Sequence, residues 1–227
     1  LKEKYVYTGH LIGECLAQIL SSKNLSATQK KDIYDRLTTT IREGKGSEKS
    51  GAAMAFFYIA VADIRQEEKI YSAELLIHSA LYGSSEKNII GAIRGLAGFA
   101  RSHVPLDLKI KITESLLSSI SDRRDMVRFN AAIVLSEFAN SDIPPELKSK
   151  IVPSALKLLK NKKTRTGGLV LLTDLAANID IPSDIKQEAL KPLGEALASD
   201  NRGAKYHAAL ALVLLGKGMA ENQYAKF

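Results

Sequence analysis

Apolar residues recur along this chain at intervals of three and four within stretches of roughly 15 residues, the period of an amphipathic helix. Leu108, Ile112, Leu116, Leu117 and Ile120 form one such face, and Leu147, Ile151, Leu156 and Leu159 form the next. A short polar break follows each stretch: Glu43 to Ser50, Gly83 to Asn88, Ser121 to Asp125, Asn161 to Thr164 and Ser199 to Gly203. Beyond each break comes a second, more apolar helix with small residues in register. Ala52, Ala92, Ala131, Leu169 and Ala208 align, and eight residues later so do Ala60, Ala100, Ala139, Ala177 and Gly216. Short side chains are needed where helix backbones approach, so the second helices are expected to form a packed inner layer filled by Phe56, Phe99 and Phe138.

The whole pattern repeats. Segments opening at Leu25, Ile64, Val104, Ile143 and Ile181 superimpose with spacings of 39, 40, 39 and 38 residues, and each carries a lysine: Lys30, Lys69, Lys109, Lys148 and Lys186. Pro105, Pro144, Pro145 and Pro182, followed by Asp107, Glu146 and Asp184, are helix-start chemistry: proline has no amide hydrogen to lose in the first turn, and carboxylates there face the positive end of the helix dipole. A closed bundle does not require turns at a fixed 38 to 40 residue period, whereas stacked hairpins do. The chain therefore reads as one all-α repeat domain, 1–227, with approximate units 1–24 (a half repeat), 25–63, 64–103, 104–142, 143–180 and 181–218. Tyr5 to Leu20 reads as the second helix of an unpaired leading hairpin, and Gly216 to Phe227 loses the apolar period.

Asp125, Val127, Arg128, Ala131, Ala132 and Leu135 make up the pattern D-x-V-R-x-x-A-A-x-x-L, and Ala204, Lys205, Ala208 and Ala209 keep a shadow of it. This pattern resembles HEAT repeats, particularly the shorter prokaryotic and archaeal variety, and the resemblance extends over nearly the whole chain. It implies a right-handed α-solenoid of about five and a half hairpins, in which the Asp and Arg would link neighbouring repeats. Ile89 and Thr166 stand where the pattern has a basic residue, so any such ladder is incomplete. HEAT families bind proteins, peptides and nucleic acids, so the fold does not select a function.

Composition narrows the setting. One cysteine, Cys15, rules out an internal disulfide and a thiolate zinc site, which points to cytoplasmic conditions, or nuclear ones in a eukaryote. Cys15 falls on an apolar helix face and is expected to be buried. No run of about 18 apolar residues occurs, so no membrane span is expected. The chain opens on Leu1, which reads as a processed or partial sequence.

Catalytic, cofactor and metal residues are not apparent. His10, His78, His103 and His207 are far apart and lack an H-E-x-x-H motif, and the glycines between Gly44 and Gly51 lack the lysine-serine ending of a phosphate loop. HEAT-like alkylpurine DNA glycosylases match in size and basicity, but this chain has no tryptophan to stack on a damaged base. Phycobilin lyases share the solenoid, with no chromophore residues evident here.

The formal charge of +7 is unevenly placed. In alternating helices, the loops inside hairpins share one edge and the loops between hairpins share the other. The first edge carries twelve basic residues against six acidic ones; the second carries eight acidic against two basic. Carboxylates on the second edge open first helices and need no further explanation. On the first edge, Arg123, Arg124, Arg128, Lys160, Lys162, Lys163, Arg165, Arg202 and Lys205 are the candidate anion- or partner-binding residues. Lys163, Arg165, Arg202 and Lys205 open second helices, where positive charge opposes the dipole. The sequence-level reading is a non-catalytic protein-binding scaffold, part of a complex, using its concave helix surface or this loop edge. The alternatives are a basic module binding nucleic acid or an acidic segment, and then a glycosylase relative.

Overall fold

The computed structural model describes residues 15–16, 18–20, 22, 24–44, 46–62 and 64–216. Every regular element among them is helical. Ten helices alternate through the described chain: α1 (Ala27–Glu43), α2 (Gly46–Ile59), α3 (Gln66–Tyr82), α4 (Glu86–Ala100), α5 (Leu106–Ser119), α6 (Asp125–Ala139), α7 (Pro145–Leu159), α8 (Arg165–Asn178), α9 (Ser183–Leu197) and α10 (Arg202–Gly216). The five first helices, α1, α3, α5, α7 and α9, each begin two residues after the unit start read from the sequence.

The described residues group into two compact units divided between Phe138 and Ala139. In the first unit, α1 packs on α2 and α3 on α4. First helices α1, α3 and α5 lie in series, and second helices α2 and α4 lie side by side. The second unit repeats this scheme: α7 on α8, α9 on α10, α7 beside α9, and α8 beside α10. Each unit therefore has two helical layers, and the seam between them is its core. Phe56, Phe99 and Phe138 are all fully buried, as are Ala92, Ala131, Leu169 and Ala208. The later rung of small residues holds at Ala60, Ala100 and Ala139 but fails at Ala177, which is exposed.

Local chemistry explains the helix starts. Ser26 and Gln29 form a reciprocal capping box, with Ser26 Oγ accepting from Gln29 N at 3.2 Å and Gln29 Oε1 accepting from Ser26 N at 2.9 Å. Pro105, Pro144 and Pro182 stand at the N-cap position, one place earlier than a first-turn proline, with only Pro145 inside the first turn. One boundary departs from the pattern. Helix α2 begins at Gly46, inside the polar stretch expected to be loop, because Glu48 faces the positive end of the dipole and polar residues in an exposed first turn cost little.

Four of the five aligned lysines are taken into the fold, while Lys30 is only half-buried. Lys69, Lys109, Lys148 and Lys186 are all buried, at 6 to 9% exposure, although each lies near the start of a helix where a cation opposes the dipole. Lys186 Nζ is 3.1 Å from Asp180 Oδ1, a carboxylate of the preceding loop. Asp142 holds the same position ahead of Lys148, opposing the desolvation that pushes that ammonium below the usual lysine range. Asp180 thus ties the loop after α8 to the first turns of α9.

The leading stretch lies largely outside the described residues, and so does the tail beyond Gly216. Within the leading stretch, Leu20 is fully buried but Cys15 is exposed, so its helical position does not carry the thiol into the core.

Candidate binding surface

The corner between α5 and α6 holds Arg123, Arg124 and Arg128. Arg124 grips Asp122 through Nε at 2.8 Å and Nη2 at 2.6 Å, and its backbone amide donates to the same carboxylate at 2.8 Å. This fork holds the Asp122 carboxyl below the usual carboxylate range. Arg128 pairs with Asp125 and donates to the Asp122 carbonyl at 3.2 Å. Both guanidinium groups fasten their own hairpin corner. Arg123 alone of the three is exposed without a hydrogen bond or ion pair among the described residues.

The second unit shows the same tendency. Arg165 donates from Nε to the Leu159 carbonyl at 2.9 Å, satisfying an end of α7, and from Nη2 to Glu195 of α9 at 2.9 Å. That answers why a cation opens α8: its charge is directed at the preceding helix's carbonyls and at a carboxylate, not at its own helix. Lys160 reaches Glu188 of α9 at 3.0 Å. Lys162, Lys163, Arg202 and Lys205 are exposed, and Lys162, Arg202 and Lys205 make no side-chain bond among the described residues. Both acceptors, Glu188 and Glu195, lie within α9 and not in a loop. Lys45 on the first edge and Asp63 on the second fall outside the described residues.

A different surface emerges from the second helices of the first unit. Their partly open positions recur at helical spacing: Tyr58 then Val61 on and just past α2, Ile90 then Arg94 on α4, and Met126, Phe129, Ile133 and Glu137 on α6. Two polar bridges join α4 to α6 along this face. Arg94 Nε donates to Asn130 Oδ1 at 2.8 Å, and Arg101 Nη2 meets Glu137 Oε2 at 2.6 Å. Arg94 is not among the candidate residues of the loop edge. Its signal was available, since Arg94 is the one charged residue between Asn88 and Ala100.

Tyr34 and two histidines meet neighbouring side chains within the fold. Between α1 and α3, the Tyr34 hydroxyl donates to the Glu68 carbonyl and lies 2.7 Å from Ser72 Oγ; burial pushes the phenol up to about 12. His78 leans on Tyr82 and His207 on Tyr206. Among the described residues no group of His, Cys, Asp and Glu is placed to hold a metal ion, and no helix is long and apolar enough to cross a membrane.

Neither a family model nor a curated protein matches this sequence. Solved structures do match. An engineered protein from a structural-genomics consortium aligns with a TM-score of 0.65 at 20% identity, over 93% of this chain and 93% of its own. A designed armadillo repeat protein in complex with the peptide (KR)4 aligns with a TM-score of 0.61 at 18% identity, over 89% of this chain and 91% of its own. A computationally designed armadillo repeat protein for modular peptide recognition gives 0.58 at 19% identity over the same shares. The chain has the all-α, HEAT/armadillo-like helical repeat fold that the sequence pattern anticipated.

Proposed function

We propose that this chain is a non-catalytic binding module that engages a protein segment on the open face of its second helices. The contrast between its two candidate surfaces carries this reading. On the loop edge, Arg124, Arg128, Lys160 and Arg165 are already matched by carboxylates of the chain. On the second-helix face, Tyr58, Ile90, Met126, Phe129 and Ile133 leave aromatic and aliphatic surface open beside Arg94 and Arg101. Aromatic residues, methionine and arginine are the types enriched at the centres of protein interfaces. Of the designed armadillo proteins of the same fold, one is in complex with a peptide and another was designed for modular peptide recognition, which agrees with this assignment.

The test is a quantitative pull-down from the cells of origin, followed by mass spectrometry. The bait is compared with two variants: Tyr58→Asp with Ile133→Asp on the helix face, and Lys162→Glu, Lys163→Glu with Arg202→Glu on the edge. Partners lost only from the helix-face variant are expected. Partners or nucleic acid lost only from the edge variant, with binding that weakens steeply as salt rises, would transfer the function to the basic edge. Recovery of chaperones alone would end the scaffold reading.

A further inference from the structure

Arg94 is the unusual member of the second-helix face. Its side chain is partly buried, and Nε is fixed on Asn130 Oδ1 at 2.8 Å. Asn130 is only 3% exposed and is itself oriented by donating from Nδ2 to the Met126 carbonyl at 2.7 Å. The guanidinium is thus held in place by a neutral amide, with no carboxylate paired to it among the described residues. Arg101, Arg124, Arg128 and Arg165 each have one. Burial accordingly pulls Arg94 below the usual arginine range, with no opposing carboxylate to raise it. A cation taken partly out of water without a counter-charge is a costly arrangement for the free chain, and it strengthens any anion that reaches it.

We propose that Arg94 is the carboxylate receptor of this face, taking an aspartate or glutamate side chain from within a bound peptide segment on its two Nη nitrogens. The inference rests on the protein-binding reading above and names its ligand chemistry. A planar fork with Nε already occupied leaves the Nη pair for a carboxylate. The helices on either side of α4 each leave apolar side chains partly open, Tyr58 on α2 and Phe129 and Ile133 on α6. A segment lying across that surface passes through and does not stop at Arg94, so the carboxylate belongs to an internal acidic residue with apolar neighbours and not to a chain terminus. A phosphate dianion is matched by clusters of arginines; here Arg94 stands among apolar residues, and Arg101 is engaged by Glu137.

The experiment selects peptides from a random displayed library on the full chain, then measures synthetic versions of the best binder by fluorescence anisotropy. The probes carry Glu, Gln or phosphoserine at the acidic position, or end there with a free carboxylate. Enriched peptides are expected to contain Asp or Glu between apolar residues. Affinity should fall at least about tenfold on Glu→Gln in the peptide or Arg94→Gln in the protein, with little further loss when both are changed. Arg94→Lys, which keeps the charge but loses the fork, is the second variant and should fall between. Enriched peptides that lack an acid, or that bind Arg94→Gln and Arg94→Lys as tightly as the native chain, would overturn the carboxylate assignment and leave peptide binding intact. Tighter binding of the phosphoserine or terminal-carboxylate probe would replace the proposed ligand. Failure to enrich any peptide on the native chain would remove the underlying reading itself.

Discussion

The second-helix layers of the two units occupy equivalent places in the repeat and are packed by different means. In the first unit, α4 turns Gly91, Gly95 and Gly98 toward α2. A methyl group added at Gly91 would lie 2.6 Å from Ser50 Oγ; at Gly95 and Gly98 it would overlap the carbonyl oxygens of Ala53 and Phe57. Backbone meets backbone there. In the second unit, α10 brings Ala204, Ala208 and Ala211, all buried, into a layer with Leu169, Leu171, Leu172 and Leu175 of α8. Thr173 Oγ1 of α8 also reaches the His207 carbonyl of α10 at 3.3 Å. Gly168 in this unit packs on α7 instead, 2.9 Å from the Ala155 oxygen and Leu158 Cβ if a methyl were added. One register can therefore be satisfied by removing side chains or by interlocking them. The glycine solution gives the closer approach but forgoes about 1 kcal/mol of helix propensity at each position, so α4 depends on its neighbour to remain helical.

The sharpest way to break this comparison is Gly98→Ala. The added methyl overlaps main-chain atoms that cannot rotate away, so a loss of about 3 kcal/mol is expected by denaturant titration. A loss under about 1 kcal/mol would mean α2 and α4 can separate freely. Gly168→Ala is expected to cost about 1.5 kcal/mol, because its neighbours need give only a few tenths of an ångström. If it proves the more damaging of the two, the α7–α8 contact and not the α2–α4 contact is the less yielding.

The corner of the first unit offers a pH-dependent comparison with that of the second. Asp122 is held below the ordinary carboxylate range by Arg124, so its contribution is present above the unfolded-state pKa and disappears as pH falls through the folded one. Asp122→Asn should cost about 1 kcal/mol at pH 7 and nothing once both forms are protonated, measured by urea titrations across the acid range. A pH-independent cost would show that Arg124 does not discriminate the charged form. The smallest effect is expected at Gly194 of α9, where an added methyl meets nothing within 4 Å. Gly194→Ala should raise stability by about 0.5 kcal/mol through helix propensity alone.

The register was legible because it depends on local chemistry. Prolines, first-turn carboxylates and the three-and-four spacing each act within a few residues, and Val104 or Ile143 marks its unit without help from distant sequence. The candidate surface was less legible. Counting loop charges assigned Arg165 to an open edge, because Glu195 lies 30 residues away and inside a helix. Arg94 stands out locally as the one charged residue between Asn88 and Ala100, but that no carboxylate pairs with it among the described residues is decided by the fold. Ala177 aligned with buried alanines and is nevertheless exposed, since alignment places a residue on a helix but not against a neighbour.

By itself, then, the sequence determined an all-helical chain of repeated hairpins, where each hairpin starts, and which aromatic residues fill it, all consequences of periodicity and of groups bonded near one another. Tertiary structure decided which charges are matched, that four of the five repeated lysines are buried, and how closely second helices approach. Those outcomes depend on distances between residues tens of positions apart, set by whether a side chain, a carboxylate or bare backbone stands opposite.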